Sequence, residues 1–254
     1  ALTSSPATTA DVQVIGENRY MNTGAVSGTT DALSVWGRYL YIESRRPFQT
    51  EYSCQVAIVN GQPVSDNTVI PWPDNRPIPT FLNNTPGPVS VPTWQFLHQN
   101  LRRGADVGLA ISYLEGGVVT GGHCVTVHRI FFNDGNDNGI IDPGEGRISF
   151  VNPASRTEVI YDLRQNQDLG TLNGHSYLMV DYGGRTAFIQ LAVAEYPYPQ
   201  AVPDTIGTGS IAVLRSDSPY GVLTVQGGVL YAAERETTWN KAMVLGGSGG
   251  IVDS

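Results

Sequence analysis

The stretch Asp134–Glu145 reads D-G-N-D-N-G-I-I-D-P-G-E. Oxygen-bearing side chains fall at its positions 1, 3, 5, 9 and 12, held by Asp134, Asn136, Asn138, Asp142 and Glu145. Gly139 stands at position 6, where the chain must turn sharply, and Ile140 at position 7 offers only its backbone carbonyl. Hard oxygens in this spacing wrap one calcium ion, which takes six to eight of them. Without a cation, Asp134, Asp142 and Glu145 repel one another. The bland alternative is a polar turn with no metal, and a match at every position favours calcium over it.

The spacing is that of the EF-hand loop, with one departure. The flanks HCVTVHRIFF and GRISFVN alternate as strands do, so the loop is expected to close a β-hairpin rather than join two helices. That implies a structural site with the weak affinity of extracellular calcium modules.

Nucleophilic chemistry is the second possibility. A thiol needs an adjacent imidazole to become a thiolate, and the imidazole needs a third group to fix its tautomer. The chain has two cysteines, Cys54 and Cys124, and four histidines. Three readings of the cysteines stand open: one disulfide, one nucleophile, or two buried thiols. Cys124 follows His123 directly on a strand, so the two side chains point to opposite faces and cannot form a pair without a bulge. His123 sits beside Gly121 and Gly122, where a substrate backbone could approach, or is simply a histidine at a sheet edge. His128 falls out of phase with His123 and reads as solvated. His98 lies on the polar side of a short helix, and His175 follows Asn173-Gly174 in a turn.

The run Trp94–Ser155 orders these residues as helix, strand, Gly-rich turn, G-G-H-C-V-T-V-H-R-I, then a strand ending F-V-N-P-A-S. It resembles the His half of papain-like cysteine peptidases, in particular the bacteriocin-processing and related secreted bacterial branches. The resemblance covers Trp94–Ser155 well and extends loosely to Tyr196. It implies His123 as general base, Asn152 as its orienter, the calcium loop as an insertion between their strands, and a peptide or protein substrate. The family nucleophile opens the first long helix, and here that position holds Thr29 or Thr30, with Ser27 a poorer substitute. Cys54 satisfies chain order but is followed by QVAIVNGQPV, which reads as strand and turn. The base side is kept and the thiol side is missing, unless Cys54 serves. Asn22 or Gln49 could then donate to an oxyanion.

The elements that must position these residues follow from periodicity. Asp11–Ile15 alternates as a strand. Thr30 or Asp31 caps a helix to about Ser44, with Leu33, Trp36, Leu40 and Tyr41 on one face. Asn60-Gly61 between Cys54–Val59 and Val64–Ile70 is a hairpin signal. The seven prolines of Pro71–Pro92 make a loop or linker. Thr93 caps a helix over Trp94–Arg103 that Gly104 ends. Strands are expected at Val107–Tyr113, His123–Phe132, Arg147–Asn152, Glu158–Asp162, Ser176–Asp181, Thr186–Ala194, Ser210–Leu214, Val222–Val225 and Val229–Ala233. Gly116-Gly117 and Gly121-Gly122 bracket a turn, Gly246–Ser254 reads as flexible, and no internal repeat stands out.

Composition bounds the class. With 254 residues and 41% hydrophobic content the chain can bury a sizeable core. Net charge is −8 and Lys241 is the one lysine, so no basic stripe points to nucleic acid or anionic lipid. No stretch approaches the length of a membrane span. The chain opens on Ala1, as after removal of a secretory leader or after trimming. Acidic, Gly-rich, Lys-poor composition accords with an extracellular bacterial protein.

The sequence therefore predicts an α+β fold. A flexible start (1–10) precedes a papain-like domain over 11–198, with an antiparallel sheet and few helices, and a β-rich C-terminal extension over 199–254. The function expected first is a secreted or cell-surface calcium-binding protein, non-catalytic, serving as a structural, adhesive or assembly subunit, whose C-terminal strands either pack on their own domain or pair with a neighbouring chain. The alternatives are an active calcium-stabilised cysteine peptidase using Cys54, His123 and Asn152, and a β-rich carbohydrate-binding or adhesin module in which Trp72, Trp94 and Tyr196–Tyr198 stack on sugars. Calcium is the one cofactor expected.

Overall fold

A computed structural model describes residues 29–45, 49–59, 62–63, 91–115, 118–152, 155, 157–167, 176–197, 205–207, 211–214, 223–226, 229–232, 243–245 and 251–253. In chain order the elements are α1 (Asp31–Arg45), β1 (Thr50–Val56), β2 (Ile58–Val59), β3 (Gln62–Pro63), α2 (Trp94–Arg102), β4 (Asp106–Glu115), β5 (Val118–Phe132), β6 (Gly146–Asn152), β7 (Thr157–Gln167), β8 (Ser176–Tyr182) and β9 (Arg185–Pro197). Six short strands follow: β10 (Thr205–Gly207), β11 (Ile211–Leu214), β12 (Leu223–Gln226), β13 (Val229–Ala232), β14 (Met243–Leu245) and β15 (Ile251–Asp253). The chain divides into two compact units, Ala1–Tyr52 with Ile70–Pro86 and Pro197–Ser254, and Ser53–Val69 with Gly87–Tyr196. The expected strands Asp11–Ile15 and Val64–Ile70, residues 71–90 of the expected loop Pro71–Pro92, and Asn22, Ser27, Trp72 and His175 lie outside the described residues.

The second unit is a closed six-stranded antiparallel barrel, β4-β5-β6-β7-β8-β9, with β9 pairing back to β4. Apolar side chains from every strand fill the interior. Val107, Leu109 and Ile111 of β4, Val125 and Val127 of β5, and Ile148 and Phe150 of β6 are buried together with Leu163, Val180 and Ile189. Each such side chain contributes roughly 1.5–3 kcal/mol on burial. Helix α2 packs on the barrel through fully buried Leu97. Its Thr93 hydroxyl accepts the Phe96 N–H (3.2 Å), and Gly104 (φ 88°) leaves the helix in the left-handed conformation. The Asn60-Gly61 signal is met by a short hairpin, β2 with β3.

This barrel overturns the α+β papain-like fold that the sequence suggested. Among the described residues there are two helices, and the sheet closes on itself. A strand carrying Gly-His followed by a strand ending in Asn is a local pattern that any antiparallel hairpin can carry. Which distant strands pair is not written in it, and here β9 returns to close the ring. Gly121-Gly122 makes no turn: both lie inside β5, where a Cβ on Gly122 would stand 2.7 Å from the Ile111 carbonyl oxygen. Gly122 lets β4 and β5 approach.

In the first unit, the Thr30 hydroxyl accepts the Leu33 N–H (3.3 Å) and starts α1. Its buried face presents Val35, Trp36, Tyr39 and Leu40. Tyr39 meets Trp36 and Tyr52 edge-on at 5.8 and 4.9 Å, a geometry that aromatic quadrupoles favour. The short strands form two parallel three-stranded sheets, β10-β12-β14 and β11-β13-β15. Ile211 pairs with Val229 and Val229 with Ile251, while Thr205 pairs with Thr224 and Leu223 with Met243. Such stacking at 18 to 22 residues is an internal repeat, which the sequence reading did not detect. Ile251–Asp253, expected to be flexible, is the last strand of the stack.

Candidate metal site

Residues 133–145 join β5 to β6 across the end of the barrel, where Phe132 pairs with Gly146. The Asn133 N–H donates to the Glu145 carbonyl (2.9 Å) and closes the loop at its base. Gly139 (φ 73°) makes the sharp turn at position 6, and Asp137 (φ 55°) and Gly144 (φ 90°) also take left-handed conformations. Ile141, at position 8, is fully buried in the barrel core, and its carbonyl accepts the Gln165 N–H of β7 at 2.7 Å. One apolar anchor and one backbone bond thus fix the middle of a polar loop to the barrel.

The five side chains expected to hold calcium share one hydrogen-bond network. Asp134 accepts the N–H groups of Asn138 (3.1 Å) and Gly139 (2.7 Å). Asn136 and Asn138 turn their amide nitrogens to the same Asp142 oxygen, at 2.8 and 3.0 Å. Glu145 spans the loop, accepting Gly135 N–H (3.1 Å) on one oxygen and Asp142 N–H (3.0 Å) on the other. Ile140 donates its N–H to Asn138 Oδ1 at 2.8 Å. Among the described residues, no three His, Cys, Asp or Glu side chains are arranged to hold a metal by themselves. The loop carries three carboxylates, two Asn amides and the Ile140 carbonyl, and both Asn nitrogens donate to one Asp142 oxygen. In this arrangement the Asn136 and Asn138 oxygens accept the Asn138 and Ile140 N–H groups, so both amides are held with their nitrogens toward Asp142.

The peptidase residues are not brought together. Cys54 lies in β1, which pairs with β9, and β9 and β4 separate it from the β5 strand of His123. Three strand spacings span roughly 14 Å, against the roughly 3 Å a thiol–imidazole hydrogen bond needs. Burial pushes the Cys54 thiol up to about 12, the opposite of a reactive cysteine. Neither Cys54 nor Cys124 is in a disulfide. His123 stands opposite Ile111, its ring 6.0 Å from Tyr182 in a cluster that also holds Tyr113, Phe150 and Tyr161. Its Nε2 is buried without a hydrogen-bond partner. Asn152 ends β6 opposite Thr157.

Two features were not read from sequence. On the outside of the barrel Glu158 accepts from Ser149 (2.6 Å) and Arg129 (2.8 and 3.0 Å) and lies 3.0 Å from His128 Nδ1. The Ser149 bond, then those of Arg129 and His128, hold its carboxyl down at about 2. The register slips at His128, a bulge that periodicity cannot reveal. Beside the loop, a groove of about 790 Å³ is lined by Trp94, His98, Phe131, Phe132, Glu145 and Arg147 among others. Trp94 stacks on Phe132 with ring centroids 4.2 Å apart.

No family model, curated protein or solved structure matches the chain. Among the described residues no helix is long and apolar enough to cross a membrane.

Proposed function

We propose that this protein is a calcium-stabilised, non-catalytic structural or adhesive module, secreted or displayed at the cell surface, that assembles through its C-terminal strands. The observation that carries the reading is the loop Asp134–Glu145. Its oxygen-bearing side chains converge in one network while Ile141 anchors it in the barrel core. A calcium ion replaces the two Asn amide donors at Asp142, relieves the repulsion of three carboxylates and ties the β5–β6 hairpin to β7 through Ile141. The separation of Cys54 from His123 and the depth of the Cys54 thiol support a role without thiol catalysis.

The test is calcium titration followed by melting temperature and by terbium luminescence sensitised through Trp94, which lines the same groove as Glu145. With an extracellular-type Kd of about 0.1–1 mM, 10 mM calcium adds about 1.4–2.7 kcal/mol of stability. That raises the melting temperature by about 3–11 °C, and Asp134→Ala should abolish the gain. No shift and no terbium signal would end the calcium reading.

A second reading, a carbohydrate-binding module, is favoured by the groove itself, where the exposed ring of Phe131 lies among His98, Glu145 and Arg147. A glycan that raises the melting temperature of the parent but not of Phe131→Ala supports it. No binding across a neutral and acidic glycan panel removes it.

A further inference from the structure

Asn138 and Gly139 form an exposed Asn-Gly pair in the β5–β6 loop. In such a pair the glycine's backbone nitrogen attacks the asparagine side-chain carbon, because no Cβ shields it. Closure gives a five-membered succinimide and expels ammonia. The loop holds the three groups of that step in place. Asn138 Oδ1 accepts the Ile140 N–H at 2.8 Å, which folds the carboxamide back over the Gly139 peptide and polarises its carbonyl. The Gly139 N–H donates to Asp134 Oδ2 at 2.7 Å, so a carboxylate already grips the proton that the attacking nitrogen must lose. The leaving nitrogen, Asn138 Nδ2, donates to Asp142 Oδ2 at 3.0 Å. A Cβ built on Gly139 would meet nothing within 4 Å, so the space that water needs is open. Asn136 donates to the same Asp142 oxygen, but it is followed by Asp137, and Asn133 by Asp134, whose β-carbons crowd the attacking nitrogen.

We propose that Asn138 deamidates itself in the folded protein, so that the loop gains a fourth carboxylate beside Asp134, Asp142 and Glu145. The Gly139 nitrogen bonds to Asn138 Cγ while its proton passes to Asp134. The Cγ–Nδ2 bond breaks, and that nitrogen leaves as ammonia with the proton. Water then cleaves the ring at Cγ, giving aspartate, or at the Asn138 backbone carbonyl, giving isoaspartate. Water is the one co-reactant, and nothing is oxidised or reduced. The change removes one of the two amides that donate to Asp142 and sets an oxygen ligand in its place. Calcium loops are tuned by the charge of their ligands, so the aspartate form should bind the ion more tightly. That consequence rests on the calcium reading; the deamidation itself does not.

Peptide mapping by mass spectrometry tests it. The full chain is held in EDTA, native in one series and in urea in another, and digested at intervals with trypsin. The peptide Ile130–Arg147 carries Asn133, Asn136 and Asn138 together. In the native series Asn138 alone of the three should convert, at least as fast as in urea, into two separable isomers. Asn138→Gln, whose ring would need a sixth member, should show no conversion. Asp134→Ala should slow the native rate about tenfold or more and leave the rate in urea unchanged. An Asn138 that stays an amide in the native protein while it converts in urea overturns the proposal. So does an Asp134→Ala protein that converts as fast as the parent. If Asp134→Ala does not keep the parent's circular dichroism, the native and urea series of the parent decide. Terbium binding by Asn138→Asp, expected to be about tenfold tighter than the parent's, separates the two readings. Its absence would remove the calcium reading, while the deamidation is decided by the peptide map.

Discussion

Gly146 is where the loop Asp134–Glu145 meets the barrel, and replacing it with alanine tests whether the two are packed as one piece. A Cβ there would stand 2.5 Å from Ile141 Cγ2 and 2.5 Å from the Leu163 carbonyl oxygen. Both are about 1 Å inside ordinary van der Waals contact. Neither neighbour can yield freely. Ile141 is fully buried in the core, and Leu163 is backbone of the strand paired with Gly146. Overpacking of this kind costs about 1–3 kcal/mol, or about 2–12 °C of melting temperature for a chain of this size. Gly121→Ala is the matched control, because its Cβ meets Tyr113 at 3.7 Å, an ordinary contact. Melting followed by circular dichroism should show the loss for Gly146→Ala and almost none for Gly121→Ala. Calcium affinity of Gly146→Ala should fall as well, since Ile141 positions the loop. A Gly146→Ala protein that melts within about 1 °C of the parent would refute the close packing of loop on barrel.

Two more outcomes follow from the charged and buried groups. Glu158 has its folded carboxyl lowered to about 2, so its contribution is complete above the ordinary Glu range and is lost as pH falls from about 4.5 through about 2; the melting difference between the parent and Glu158→Gln should therefore shrink across that window, and a difference independent of pH would count against it. A thiol reagent at pH 8 should label Cys124, which is exposed, and leave Cys54 unmodified until the protein unfolds; rapid labelling of Cys54 in the native protein, slowed by His123→Ala, would restore the peptidase reading.

Much of the local structure was legible in the residues. The caps at Thr30 and Thr93 mark both helices because a hydroxyl in that place satisfies an N–H that the helix leaves open. Alternation in VGLAI and RISFV marks barrel strands because one face must be apolar. The grammar of Asp134–Glu145 was readable because it is written in consecutive residues. The opposite facing of His123 and Cys124 followed from the two-residue period of a strand, and Cys124 is indeed exposed.

Other features rest on contacts between residues far apart in the chain, for which no local pattern codes. Closure of the barrel depends on β9 meeting both β8 and β4, and this replaced the expected papain-like arrangement. The Glu158 cluster requires Arg129 and Ser149 on two neighbouring strands and a bulge at His128 to align with it. The parallel stack escaped notice because its strands are three or four residues long and its spacing wanders between 18 and 22. The sequence by itself determined the two helix caps, most barrel strands and the turn grammar of Asp134–Glu145, since these are properties of neighbouring residues. Only the tertiary structure decided which strands pair and whether Cys54 can reach His123, because those depend on burying one continuous core.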